Sequence, residues 1–61
     1  MQLAKIRTEK GMTQAELSQA TGITQETISL YETEKQKPFP DNLVKLSEAL
    51  GVSVGKILGV E

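Results

Sequence analysis

Two helix starts with a glycine between them constrain the fold of this chain more than any other feature of the sequence. Thr13 and Glu16 form a capping box, in which each side chain bonds the backbone N–H of the other at the start of a helix. Gly22 ends that helix, because glycine accepts the left-handed backbone just past a helix end. Thr24 then caps a second helix that begins at Gln25. The sequence therefore predicts two short helices joined by a tight turn.

The apolar residues of these two segments are spaced so that the helices face each other. Leu17 and Ala20 line one side of the first helix. Ile28 and Tyr31, three residues apart, line one side of the second. Ile23, in the turn, fills the angle between them. Two short helices that pack across a glycine-containing turn form a helix-turn-helix.

Three further helices are expected in the rest of the chain. An N-terminal helix over 2–10 ends at Gly11, a helix that begins at Pro40 ends at Gly51, and Ser53 caps a last short turn. The segment from Thr33 to Phe39 is polar and irregular, which is typical of a loop. No sustained alternation predicts a strand, so the fold class is all-α with five helices. The remaining core candidates are apolar residues at helical spacing or in a corner: Leu3, Ile6, Met12, Leu43, Leu46, Ala49 and Leu50.

The composition excludes several classes of function. The chain has 61 residues, no cysteine and no histidine, so a zinc site is effectively excluded and neither of these residues is present for nucleophilic or acid-base chemistry. We therefore expect no catalytic residue, no metal, no cofactor and no enzymatic activity. No apolar run is long enough to span a membrane, and no signal segment begins the chain. A reducing, cytoplasmic setting is expected.

The charge balance does not by itself indicate a nucleic-acid partner. The net charge is −1, whereas a domain that binds phosphates carries a basic excess. Lys35 and Lys37 lie together directly after the second helix of the helix-turn-helix. On charge alone they fit a phosphate contact and an ordinary solvated loop equally.

One structural ion pair is predicted from position alone. Arg7 follows the buried residue Ile6 at the border of the first helix, and Glu32 lies beside Tyr31 at the end of the later one. We expect Arg7 and Glu32 to pair and to fix the orientation of these helices. If the pair is buried, loss of one partner costs roughly 3–5 kcal/mol.

A set of residues at fixed spacing covers nearly the whole chain: Gln14, Leu17, Ser18, Gly22, Ile23, Ile28, Tyr31, Glu32, Pro38, Leu43, Leu46, Ala49, Leu50, Gly51 and Val52. With the runs Thr-Gln-Ala-Glu-Leu and Ala-Leu-Gly-Val-Ser, these residues resemble the phage repressor and Cro-like (XRE-type) family. The resemblance implies a compact five-helix, lambda-repressor-like DNA-binding domain. Residues 1–61 would form this single domain, with the helix-turn-helix at about 14–32.

The resemblance places the helix Gln25–Glu32 in the major groove of double-stranded DNA. Gln25 matches a base-reading position, where its amide pairs bidentately with adenine. Glu26 matches another, where its carboxylate accepts from cytosine N4 unless it only completes the helix start. Ser29 reaches a phosphate, a base or neither. Leu30, expected to be exposed, contacts a thymine methyl or is an incidental apolar surface residue.

Five other residues are candidates for contact with the DNA backbone. Gln14 matches a phosphate-contacting glutamine, although a glutamine there also serves as a plain helix former. Thr24 is first a cap and Thr27 lies near the buried side, with phosphate contact a further role for each. Lys35 and Lys37 match the loop that binds phosphates, which favours that role over a solvated loop.

The chain departs from the family pattern at Glu34, where the family commonly has glycine. A left-handed backbone is costly for any other residue, so the loop is expected to take another path. With the low positive charge, this departure argues for weak binding by one copy and for a homodimer on a palindromic operator. Ile57, Leu58 and Val60 are candidates for the dimer interface, or for ordinary core.

Two classes of function remain open from the sequence. The first is a sequence-specific DNA-binding transcription regulator, acting as a repressor and encoded by a bacterium or phage. The alternative is a protein-interaction module, such as an antitoxin-like partner, with Leu30 at the contact.

Overall fold

The computed structural model describes residues 1–61 and contains five α-helices and no strand, as the sequence predicts. The helices are α1 (Leu3–Glu9), α2 (Gln14–Thr21), α3 (Gln25–Glu32), α4 (Pro40–Leu50) and α5 (Val54–Leu58). The first helix is one residue shorter at each end than predicted, because Gln2 and Lys10 are its capping residues. None of the five helices is both long and apolar enough to span a membrane.

Local side-chain bonds define where α2 and α3 begin and end. The Thr13 hydroxyl accepts from the N–H of Glu16 at 3.0 Å, and the Glu16 carboxylate accepts from the N–H of Thr13 at 2.8 Å. The predicted capping box is therefore present. Gly22 closes α2 with a left-handed backbone (φ 78°), and the Thr24 hydroxyl caps α3. The turn between the two helices is only three residues long, which holds α3 at a fixed angle to α2.

The five helices share one apolar core of nine buried residues. These are Leu3, Ile6, Leu17, Ile23, Ile28, Tyr31, Leu46, Leu50 and Ile57. Met12, Leu43 and Ala49 are partly buried and pack against it. Every helix contributes to this core, and so does the turn residue Ile23, so α3 is held from several sides.

The prediction that Ala20 lines the buried side of α2 is wrong, because Ala20 is exposed. Its short side chain lies at the margin of the core, in a shallow depression beside Lys45 and Ala49. Thr21 takes the inner position of the last turn, where it is half-buried and its hydroxyl donates to the carbonyl of Leu17 at 2.8 Å.

The loop between α3 and α4 contains a left-handed residue at Glu34, where the sequence argued against one. Glu34 has φ 61° and is the only residue other than glycine with a positive φ. The N–H of Glu34 donates to the carbonyl of Tyr31 at 3.1 Å, and that of Lys35 to the carbonyl of Leu30 at 2.9 Å. These two bonds form a Schellman motif, which requires a left-handed residue at this position. The expectation of another path is therefore wrong.

Of the two roles left open for Ile57, the structure supports ordinary core. Ile57 has no exposed surface and is part of the core. Leu58 and Val60 are 42% and 77% exposed, so of the three candidate interface residues only these two remain available to a partner.

Candidate nucleic-acid interface

The two sides of α3 differ sharply in burial. Ile28 and Tyr31 are 0% and 2% exposed and anchor the helix in the core. Gln25 and Glu26, in the first turn, are exposed. The apolar side chains at helical spacing thus face the core, and the first turn of α3 exposes polar side chains. None of the three surface depressions is lined by a residue of α3.

The hydroxyl groups at the start of α3 bond each other. The Thr24 hydroxyl accepts from the N–H of Thr27 at 3.2 Å and donates to the Thr27 hydroxyl at 2.8 Å. Thr24 is exposed and Thr27 is half-buried. The single hydroxyl proton of Thr24 is thus used within the domain, whereas that of Thr27 makes no bond to another side chain or to the backbone.

The later residues of α3 are less available than the sequence suggested. Ser29 and Leu30 are half-buried, so the expectation of an exposed leucine is wrong. An eight-residue helix is only about 12 Å long, and its second half lies closer to the body of the domain. The Thr33 hydroxyl, just past the helix, donates to the carbonyl of Ser29 at 2.9 Å. The freely exposed residues of α3 are therefore concentrated in its first turn.

The predicted pair between Arg7 and Glu32 is present and extends to α2. Arg7 donates from Nε to Glu32 Oε2 at 2.6 Å and from Nη2 to Oε1 at 3.1 Å. The amide of Gln14 donates to the same Oε1 at 2.9 Å. Arg7 also donates from Nη1 to the carbonyl of Met12 at 2.7 Å. One carboxylate thus joins α1, α2 and α3, and Gln14 has a structural bond that the sequence did not indicate.

These contacts perturb the ionisation of the pair. Burial acts to raise the pKa of Glu32, but the hydrogen bonds from Arg7 and Gln14 and the charge of Arg7 outweigh it, and the pKa lies below the ordinary value of 4.5. The hydrogen bond to Glu32 likewise raises the pKa of Arg7. Both groups are therefore held in their charged forms.

The basic residues of the loop are fully accessible. Lys35 and Lys37 are exposed and make no hydrogen bond or ion pair through their side chains. Their acidic neighbour Glu34 bonds the N-terminal ammonium of Met1 at 2.6 Å. This bond, followed by the charge of the same ammonium, lowers the pKa of Glu34. The negative charge of Glu34, which directly precedes Lys35 in the chain, is thus partly compensated within the domain.

Two polar side chains of structural importance were not identified from the sequence. The Thr21 hydroxyl accepts from the N–H of Ile23 at 3.1 Å and so supports the turn. The Asn42 amide on α4 donates to the Tyr31 hydroxyl on α3 at 2.8 Å. A threonine directly before Gly22 was a usable signal for the first bond. Nothing in the local pattern around Asn42 indicates the second.

Because α2 and α3 are joined by a three-residue turn and α3 exposes a polar first turn, the fold defines a helix-turn-helix protein. Comparison with known proteins agrees. The chain belongs to the helix-turn-helix family, whose sequence profile matches residues 3–57. The predicted membership of the XRE-type family is confirmed. The family is one of transcription regulators and not of enzymes, so the prediction of no enzymatic activity is confirmed for this domain.

Two curated relatives are similar over most of this chain. The uncharacterized HTH-type transcriptional regulator y4dJ of Sinorhizobium fredii is 40% identical over 50 residues, which cover 82% of this chain and 65% of that protein. The SPbeta prophage-derived uncharacterized HTH-type transcriptional regulator YonR of Bacillus subtilis is 41% identical over 56 residues, or 92% of this chain and 52% of that protein. The chain thus spans less than two thirds of either relative. No solved structure matches the chain significantly.

Proposed function

We propose that residues 1–61 form a single DNA-binding domain of a transcription regulator, which acts as a repressor and inserts α3 into the major groove. The observation that carries this proposal is the two-sided character of α3 within a chain of the helix-turn-helix family. Ile28 and Tyr31 fix the helix in the core, while Gln25 and Glu26 project from its first turn. A recognition helix needs this arrangement, because its N-terminal residues contact base edges.

The base contacts follow from the chemistry of the exposed side chains. Gln25 pairs with adenine N6 and N7, and Glu26 accepts from cytosine N4. Ser29 and Leu30 lie further from the N-terminus of α3 and are half-buried, so we assign them secondary contacts. That of Leu30 is with a thymine methyl. The preferred half-site therefore contains an adenine and a cytosine.

The phosphate contacts come from the edges of the same surface. Lys35 and Lys37 provide exposed ammonium groups for the DNA backbone. The Thr27 hydroxyl and the second amide N–H of Gln14 extend this contact, since each has a donor beyond its internal bond. Thr24 contributes mainly as the cap that orients Thr27. With so few basic groups, binding by one copy is weak and depends strongly on salt.

A homodimer on a palindromic operator compensates for that weakness. Two copies joined through Leu58 and Val60 place two α3 helices on half-sites one helical turn apart. Leu58 is 42% exposed and Val60 77% exposed, and both lie outside the core. Operator DNA in the bacterial or phage-infected cell lies in the cytoplasm, where this regulator would act. No cofactor is needed for the proposed contacts.

The proposal is tested by selecting bound sequences from a random pool of duplex DNA at low salt. The account predicts enrichment of a short palindromic site by the wild-type protein. Lys35→Ala weakens binding to all sequences alike and lowers the salt slope by about one. An antitoxin-like protein-interaction module would instead capture a protein and show no enrichment. The half-buried position of Leu30 gives that alternative less support than an exposed leucine would.

A further inference from the structure

The two halves of the loop from Thr33 to Phe39 differ in their backbone hydrogen bonds. In its first half, the N–H groups of Lys35 and Gln36 both donate to the carbonyl of Leu30, at 2.9 and 3.3 Å. In its second half, from Lys37 to Phe39, no backbone N–H donates to an acceptor within the chain, and proline has none to donate. The backbone that carries Lys35 is therefore fixed to α3, whereas the backbone that carries Lys37 is not fixed by bonds of its own.

A side-chain bond links the two helices that flank the loop. The Asn42 amide, in the first turn of α4, donates to the Tyr31 hydroxyl at 2.8 Å. This is the only side-chain hydrogen bond or ion pair between α3 and α4. Because Tyr31 is 2% exposed, its ring is a fixed point in the core. The bond thus joins the last turn of α3 to the first turn of α4, on either side of the loop.

We infer that Asn42 is a positioning residue for DNA binding, which places Lys37 relative to α3 through its bond to Tyr31. Lys35 does not depend on Asn42, since its own N–H is bonded to α3. This inference rests on the proposed function, in which both lysines contact phosphates. The position of Lys37 depends on Asn42 and that of Lys35 does not, so Lys35 serves as an internal control in the experiment.

The test measures affinity for the selected operator at several salt concentrations, with Asn42→Ala alone and combined with Lys37→Ala or Lys35→Ala. Asn42→Ala should weaken binding about fivefold, the scale of one hydrogen bond, and lower the salt slope toward that of Lys37→Ala. In the Lys37→Ala background the further loss should be under about twofold, because the contact it supports is already gone. In the Lys35→Ala background the loss should remain about fivefold.

Two further variants separate positioning from a loss of folding. Tyr31→Phe keeps the ring in the core and removes only the acceptor, so it should reproduce the binding pattern of Asn42→Ala. Ser47→Ala, whose hydroxyl donates to the carbonyl of Val44 within α4, should leave affinity and salt slope unchanged. A merely structural role would lower the folded population without changing the salt slope.

Other results overturn the inference. If Asn42→Ala still weakens binding about fivefold in the Lys37→Ala background, the bond does not place Lys37. The same conclusion follows if Asn42→Ala and Tyr31→Phe leave the affinity unchanged. If the wild-type protein binds no duplex at all, the proposed function fails and this inference fails with it. Wild-type binding with unaffected variants refutes the inference alone.

Discussion

Arg7 on α1 holds the carboxylate of Glu32 on α3 at two points, through Nε at 2.6 Å and Nη2 at 3.1 Å. The two side chains are only 14% and 7% exposed. Gln14 on α2 bonds the same carboxylate, so three helices meet at one charged group. The orientation of α3, and with it the direction in which its first turn points, depends on this contact.

Arg7→Met should lower the free energy of unfolding by about 2 kcal/mol, because it leaves Glu32 charged and largely buried with only Gln14 as a partner. The cost is smaller than for a completely buried pair, since Arg7 keeps some contact with water. Urea unfolding followed by circular dichroism measures it. Lys5→Met, on the exposed side of the same helix, is the matched control and should change stability by less than about 0.5 kcal/mol. Equal effects of the two substitutions would refute a structural role for the pair.

The same pair predicts how stability depends on pH. The pKa of Glu32 is lower in the folded protein than its ordinary value of 4.5, so the unfolded chain binds a proton more readily. Its contribution to stability is therefore complete above about pH 4.5 and is lost as pH falls through the folded pKa. Unfolding free energies between pH 6 and 2 should decline less steeply for Glu32→Gln than for the wild type. Parallel curves would show that the carboxylate has the same pKa in both states.

Glu34→Gly should stabilise the domain relative to Glu34→Ala. Both substitutions remove the carboxylate that bonds the N-terminus, so their difference isolates the left-handed backbone at φ 61°. The melting temperature of the glycine variant should be higher by about 5 °C, as measured by thermal unfolding. Equal melting temperatures would mean that the left-handed conformation is not maintained in solution.

Neighbouring residues of α5 should have separable roles. Ile57→Ala should lower the free energy of unfolding by about 3 kcal/mol, because it opens a cavity in the core. Leu58→Ser should leave stability nearly unchanged but weaken binding to a palindrome more than to a half-site. Urea unfolding and titration of the two duplexes distinguish these outcomes. If Leu58→Ser affects both duplexes equally, the proposed dimer surface is wrong.

Much of the fold was predictable because its signals are local. The capping box at Thr13, the cap at Thr24 and the left-handed Gly22 each depend on residues within one turn of the chain, and all three are present. The core stripes of α3 and α4 follow from helical spacing. Burial at the margins was less predictable: Ala20 is exposed and Leu30 half-buried because neighbouring elements, and not the helix itself, decide which marginal positions are covered.

The polar contacts between distant segments were also predicted only in part. The Arg7–Glu32 pair was found because both residues border a buried stripe and carry opposite charge. The bonds of Gln14 to Glu32 and of Asn42 to Tyr31 join neutral amides to partners on other helices, and no spacing rule indicates such a partner. The left-handed Glu34 escaped prediction because the Schellman bonds of its neighbours offset an unfavourable intrinsic preference.

The central claim is that Gln25 reads a base from the first turn of α3. The measurement that tests it most directly is the affinity of wild type and Gln25→Ala for the selected operator and its single base-pair variants. The account predicts that the wild type discriminates at one adenine by about 1–3 kcal/mol, and that Gln25→Ala loses discrimination at that position and keeps it elsewhere. Discrimination by Gln25→Ala that is unchanged at every position would contradict the claim that Gln25 reads a base.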